Sequence, residues 1–248
     1  MICATCDDWL VKLPRAILID LDDTILDDSG CVESCWIDAC SEAAKVIPNL
    51  DVNTIRRSVR TRAEAWWSNA DRHQRGRLDL RALTTEILTG VLAELGHDPV
   101  FAAGIANRYR DLREERATLF DGAIETLEWL QESGVRLGLM TNGAADAQRT
   151  KIERFALARH FGHIIIEGEF GVGKPHRSVY ETLLRELSVS AGETWAIGDN
   201  LQWDVYAPMD MGIHGIWIDP SEKGVPVDWR EPDRVVRAFS ELRRDQVT

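Results

Sequence analysis

The sequence predicts an α/β protein: a parallel sheet covered by helices, with an all-helical module inserted after the first strand. Three observations carry this reading. Short apolar runs alternate with amphipathic helical segments along most of the chain. Each run ends in polar residues suited to chemistry. One long stretch, from about residue 29 to about 118, breaks the alternation and shows helical periodicity alone.

The first strand is Arg15-Ala16-Ile17-Leu18-Ile19, a continuous apolar run of the kind buried on both faces. A helix with Ile124, Leu127 and Leu130 on one face ends at Gly134 and leads into the second strand, Val135-Arg136-Leu137-Gly138-Leu139-Met140. His163–Ile166, Thr194–Gly198 and Gly215–Ile218 are the third, fourth and fifth. Between them lie the helical faces Ile152/Phe155/Ala156 and Val179/Leu183/Leu184/Leu187. This rhythm specifies a Rossmann-like sheet. Within the insertion, Trp36/Ala39/Cys40/Ala43/Ile47, Ile87/Leu88/Val91/Leu92/Leu95 and Phe101/Ile105/Tyr109/Leu112 each trace an apolar face. The expected organisation is a core of residues 1–28 and 119–248 and a helical cap of residues 29–118, placed over the site.

Composition narrows the class. The chain has 248 residues, 44% hydrophobic and 28% charged, as expected of a soluble globular protein. No apolar run approaches the roughly 18–20 residues that span a bilayer. Met1–Pro14 lacks the basic start and apolar core of a signal peptide, so a cytoplasmic location with no membrane partner is expected. A net charge of −12 argues against a nucleic-acid polymer as partner. Between Arg56 and Arg81, however, eight arginines face three acids, Glu64, Asp71 and Asp79. That segment either draws in an anionic substrate or is a solvated helix face. Five cysteines, an odd count, suggest reduced thiols. Cys3-Ala4-Thr5-Cys6 is a Cys-x-x-Cys pair, and Cys31 and Cys35 could supply the second pair of a zinc site, but their spacing fits one helical face as well.

Four constellations fall at the carboxyl ends of predicted strands, where ligand crevices of α/β sheets lie. Asp20-Leu21-Asp22-Asp23-Thr24 follows the first. Two carboxylates there can divide labour, one as nucleophile and one as proton donor and acceptor. Thr141-Asn142-Gly143 follows the second; a hydroxyl, an amide and a glycine backbone can bind phosphate oxygens, although Asn-Gly is also a common turn. Gly173-Lys174-Pro175 follows the third and offers a point charge. The preceding residues from Gly168 mimic the phosphate loop G-x-x-x-x-G-K, but the eighth position, Pro175, has no hydroxyl for a metal. Gly198-Asp199-Asn200 with Asp204 ends the fourth strand; with Asp20 these acids are hard oxygen ligands suited to Mg²⁺.

These four motifs, in this order, resemble the haloacid dehalogenase superfamily over nearly the whole chain. The helical insertion resembles its type-1 cap. Thr141-Asn142-Gly143 with Gln148, Lys151 and Ile152 looks most like the branch that contains N-acylneuraminate-9-phosphatase and related nucleotide phosphatases. The resemblance implies a phosphoric monoester hydrolase working through an aspartyl phosphate. Asp20 would be the nucleophile and Asp22 the acid–base group; Lys174 would be catalytic and phosphate-binding, beside Thr141, Asn142 and Gly143. Mg²⁺ would sit on Asp20, the Asp22 main-chain carbonyl, Asp199 and Asp204. Asp22 argues against carbon–halogen and carbon–phosphorus cleavage, since relatives with those activities generally lack it. A sugar phosphomutase or a non-catalytic binder of phosphometabolites would share these residues. Trp203 is bulkier than the residue usual there and could shift Asp204.

Specificity for a small phosphorylated metabolite is expected in the cap. Trp66 and Trp67 could stack on a ring, or simply pack. Arg72, His73, Arg75 and Arg77 could meet a second anionic group.

Overall fold

The computed structural model describes residues 13–244. Cys3 and Cys6 lie outside them. Eight strands form, β1 (Ala16–Ile19), β2 (Leu26–Asp27), β3 (Thr118–Leu119), β4 (Arg136–Thr141), β5 (His163–Ile166), β6 (Thr194–Gly198), β7 (His214–Ile218) and β8 (Arg234–Val236). Six make one sheet in the order β5-β4-β1-β6-β7-β8, parallel throughout. The short β2 and β3 form a separate pair. The helices are α1 (Val32–Ala44), α2 (Val52–Trp67), α3 (His73–Leu78), α4 (Leu80–Glu94), α5 (Ala102–Arg116), α6 (Ala123–Glu132), α7 (Ala145–Arg154), α8 (Glu167–Phe170), α9 (Arg177–Glu186), α10 (Ala207–Met209) and α11 (Glu241–Arg244).

Sheet order places the site. The chain builds outward from β1 through β4 to β5, then returns to β1's other side and builds outward again through β6, β7 and β8. The direction reverses between β1 and β6, and such a switch point opens a crevice beyond the strand ends. Asp20 leaves β1 and Asp199 leaves β6 at that place. The central strand is apolar at every position because both its faces are covered. Ile17 and Ile19 pack with Leu127, Leu139, Ile152 and Ile197 on one face. Ala16 and Leu18 pack with Met140, Val179, Tyr180 and Leu183 on the other. Gly134, at φ 80°, ends α6, and the Val135 N–H closes the helix on the Leu130 carbonyl at 3.0 Å.

Contacts divide the chain into two compact units, Asp27–Thr118 and the remainder. The first is helical with a core of its own, in which Cys35, Ala39, Ile55, Leu88, Val91, Ile105 and Tyr109 are buried. Asp51 and Asp79 cap α2 and α4 by accepting the backbone N–H groups of Thr54 and Ala82. Three short strands depart from the sequence reading. The two-residue β3 begins at Thr118, inside the stretch expected to be helical only, and β2 and β3 are too short to leave a periodic signal. β8 sits at the sheet edge, where only Val236 is buried, so it shows no apolar run. α2 lies within the arginine-rich segment and buries only Ile55, Val59 and Trp66. Among the described residues no helix is long and apolar enough to cross a membrane.

Leu18 is completely buried in the central strand. Leu18→Ala is expected to lower stability by about 2–5 kcal/mol, through lost transfer energy and an unfilled cavity, measured by urea unfolding. A change within experimental error would contradict the packing described.

Candidate active site

Lys174 is the hub of the strand-end cluster. Its ammonium donates to Asp20 Oδ1 at 2.5 Å and to Asp204 Oδ1 at 2.7 Å, and the side chain is only 3% exposed. Burial alone would push the lysine pKa down; Asp20 and Asp204 overrule it and hold it above the ordinary lysine range. The other Asp20 oxygen accepts from the Thr24 hydroxyl at 3.1 Å. Burial pushes Asp20 well above the usual carboxylate range; Asp204 and Asp199 add to this, and Lys174 opposes it.

The loop that delivers Lys174 is built around Asn142. Its carboxamide accepts from the Lys174 N–H at 2.7 Å and donates to the Lys174 carbonyl at 2.9 Å, clamping that residue's backbone. Gly173 must be glycine here, since a Cβ would lie 2.4 Å from Asn142 Oδ1 and 2.6 Å from Glu167 Cδ. Glu167 is buried, and its Oε2 accepts from the Gly143 N–H at 3.0 Å. The side chain of Asn142 and the N–H of Gly143, read from sequence as phosphate donors, thus hold the loop together. Gly168, in the segment that mimics a phosphate loop, instead packs on backbone; a Cβ there would lie 2.5 Å from the Ala145 nitrogen.

Asp204 comes from a π-helical turn, Leu201–Tyr206, a form that recurs at functional sites. Asn200 Oδ1 accepts from the Gln202 and Trp203 N–H groups, and Asp204 Oδ2 accepts from the Asn200 N–H at 3.1 Å. The Tyr180 hydroxyl donates to the Trp203 carbonyl at 2.5 Å, so this bulky residue's backbone anchors the turn. A Cβ at Gly198 would lie 2.5 Å from Asp204 Cγ, which explains the glycine before Asp199. Trp217 Nε1 donates to the Asp199 carbonyl at 2.9 Å. The Asp199 side chain reaches the surface, yet the protein packed around it, with Asp204 and Asp23, pushes its pKa up to about 7.

Asp20, Asp199 and Asp204 each bring a carboxylate oxygen within 4.8 Å of the others. Three carboxylates and one ammonium leave an excess of two negative charges, which fits a divalent, oxygen-loving cation. The Asp22 carboxylate is not in this group. It accepts from Lys151 Nζ at 2.7 Å and Gln148 Nε2 at 2.9 Å, and Gln148 Nε2 also donates to Thr141 Oγ1 at 2.5 Å. In the sequence Gln148 and Lys151 carry only the family resemblance, and nothing there points to Glu167 or Tyr180. The signal for the first two was their i, i+3 spacing, which puts both on one face of α7.

The arginine-rich segment looks different in three dimensions. Arg56 and Arg60 pair with Glu33, Arg62 with Glu94, Arg75 with Glu86, and Arg81 with Asp111 and Glu114. Acids from neighbouring helices therefore neutralise much of the local excess. Arg72 is exposed and Arg77 half-buried. Trp66 is buried in the helical core, with Trp67 edge-on to it at 4.8 Å, and a Cβ on Gly76 would lie 2.5 Å from the Trp66 ring. This pair packs. His73 Nε2 meets the Trp67 carbonyl at 2.6 Å and caps the arrangement.

A lysine bridges two carboxylates at the switch point of this parallel sheet, beside a third acid, in an arrangement that a divalent cation would fit. The haloacid dehalogenase-like hydrolase family matches residues 14–210, and the chain belongs to it. It is 30% identical to a phosphoserine phosphatase of Thermus thermophilus over 227 residues, 83% of this chain and 88% of that protein. It is 30% identical to a glyceraldehyde 3-phosphate phosphatase of Pyrococcus abyssi over 206 residues, 82% of this chain and 80% of that one. The N-acylneuraminate-9-phosphatase of Rattus norvegicus is 26% identical over 234 residues, covering 86% and 85%. The magnesium-bound HAD-hydrolase YfnB of Bacillus subtilis superposes with a TM-score of 0.74 at 24% identity, over 96% of this chain and all of that one, and shares the fold.

Asp199 gives a pH test. Its folded pKa, about 7, lies above the ordinary 3.8, so the metal-free folded state binds the proton more tightly than the unfolded chain does. The resulting stabilisation is full below the unfolded pKa and is lost as pH rises through the folded one. Mg²⁺ should therefore raise Tm more near pH 8, where Asp199 is ionised, than near pH 5, where a proton competes. Equal shifts in thermal melts at both pH values, read against EDTA, would contradict the assignment.

Proposed function

We propose that this chain is a Mg²⁺-dependent phosphatase that hydrolyses a small phosphate monoester through an aspartyl phosphate on Asp20. The observation that supports this most is the separation of two aspartates, two residues apart, into different environments. Asp20 faces Lys174 and Thr24; Asp22 faces Lys151 and Gln148. The named relatives act on phosphoserine, glyceraldehyde 3-phosphate and N-acylneuraminate 9-phosphate, small phosphorylated metabolites of the substrate class proposed here.

Asp20 would attack phosphorus in line, its lone pair forming the new O–P bond as the ester oxygen departs. Asp22 would give that oxygen a proton, then take one from the water that attacks the aspartyl phosphate, releasing inorganic phosphate and regenerating Asp20. Two anions must approach one another, and the Lys174 ammonium offsets part of the repulsion. Thr141, at the end of β4, would orient a phosphoryl oxygen. Asp20, Asp199 and the Asp22 main-chain carbonyl would hold the cation, while Asp204 steadies Lys174. When bound, Mg²⁺ supplies Lewis-acid neutralisation of the phosphoryl charge.

The test is phosphate release from p-nitrophenyl phosphate with Mg²⁺ or with EDTA, followed by a panel of phosphorylated metabolites. Release is expected with Mg²⁺ only, and Asp20→Asn should lower kcat by about a thousand-fold or more. Release that survives Asp20→Asn, or isomerised sugar phosphate in place of free phosphate, would overturn the reading.

A further inference from the structure

Asp22 sits in a tight turn just past β1. The Ile25 and Leu26 N–H groups both return to the Leu21 carbonyl at 3.0 Å, and the Asp23 N–H reaches the Leu26 carbonyl at 2.6 Å. The turn fixes where the Asp22 backbone lies. It does not fix the plane of the carboxylate, which two further rotatable bonds control. That plane is set from α7: Oδ1 accepts from Lys151 Nζ at 2.7 Å and Oδ2 from Gln148 Nε2 at 2.9 Å. Each oxygen thus has its own donor. Gln148 is only 3% exposed, so its amide has little water to turn to, and its second N–H is spent on Thr141 Oγ1 at 2.5 Å. One buried amide thereby ties Asp22, after β1, to Thr141, at the end of β4. The two lysines are also segregated: Lys174 serves Asp20 and Asp204, and Lys151 serves Asp22.

We infer that Gln148 and Lys151 are positioning residues that aim the Asp22 carboxyl group at the leaving oxygen, with Gln148 locking it to the phosphate-orienting hydroxyl of Thr141. The inference rests on the acid–base reading of Asp22. A carboxylate has about four lone-pair sites. Donation from Lys151 and Gln148 therefore leaves a site for the proton that Asp22 passes to the departing oxygen as the ester P–O bond breaks, and later recovers from the attacking water. Neither α7 residue transfers a proton. Their contribution is orientation, which transition-state geometry demands and which a flexible half-exposed carboxylate lacks.

Leaving-group dependence reads this role directly. p-Nitrophenolate departs without a proton, whereas the alkoxide of β-glycerophosphate needs one. kcat/KM reports events through transfer to Asp20 and so excludes the later hydrolysis step. For Lys151→Met and Gln148→Met, kcat/KM should fall about ten-fold or more on β-glycerophosphate and only about two- to three-fold on p-nitrophenyl phosphate, with the loss in kcat. Lys151→Arg, which keeps a charged donor, should recover most of it. In an Asp22→Asn background the α7 substitutions should cost nothing further. Equal losses on both substrates, no rescue by arginine, or full losses that persist in Asp22→Asn would overturn the inference. If Asp22→Asn itself leaves the ratio between the two substrates unchanged, the acid–base reading fails and takes the inference with it. If Asp22→Asn collapses that ratio and the α7 variants do not, only the inference fails.

Discussion

Lys174 carries a positive charge where almost no water can solvate it, and two carboxylates from different strand ends allow it to stay there. Removing one partner of such a buried arrangement typically costs about 3–5 kcal/mol, because the remaining charge is uncompensated. Much of the local architecture follows from that constraint. Asn142 clamps the lysine backbone, Glu167 ties down Gly143, and Gly173 leaves space for both side chains. On the other side Gly198, Asn200 and Tyr180 shape the π-helical turn so that Asp204 meets the ammonium. The glycines of these motifs are spacers around a charge cluster.

The cluster is also electrostatically incomplete. Its acids outnumber its cation, and burial raises the protonation equilibria of Asp20 and Asp199. A divalent cation would relieve the same imbalance, which burial otherwise settles by favouring the protonated carboxylates. The metal dependence and the nucleophilic role proposed for this site would thus be two consequences of one charge arrangement.

The core was legible wherever the signal was local. β1 and β6 are short and buried throughout, and β5 is a short apolar run at the sheet edge, so their ends could be read to within a residue. The motif residues Asp20, Lys174, Asp199 and Asp204 were legible for the same reason: strand ends converge at a switch point. Non-local pairings were not legible. The arginines of α2 and α3 left two readings open in sequence, an anion-attracting patch or a solvated helix face, because their acidic partners, Glu33, Glu86 and Glu94, belong to other helices. Trp66 and Trp67 could stack or pack on the sequence alone; the closeness of Gly76 is the non-local contact that shows them packing. Asn142 and Gly143 were legible as ligand donors or a turn, but their contacts with residues some two dozen or more positions away left no signal. Helical periodicity and strand alternation report which face is buried, not which polar groups meet across it.

The central claim is that Asp20 forms a covalent bond to phosphorus. The most direct measurement is mass spectrometry of enzyme quenched in acid during turnover of p-nitrophenyl phosphate with Mg²⁺. The account predicts one phosphoryl group on the peptide that contains Asp20, absent without substrate and absent in Asp20→Asn. Phosphate release at full rate with that peptide unmodified at every time of quenching, and inversion at phosphorus in place of the net retention that two in-line displacements give, would contradict it.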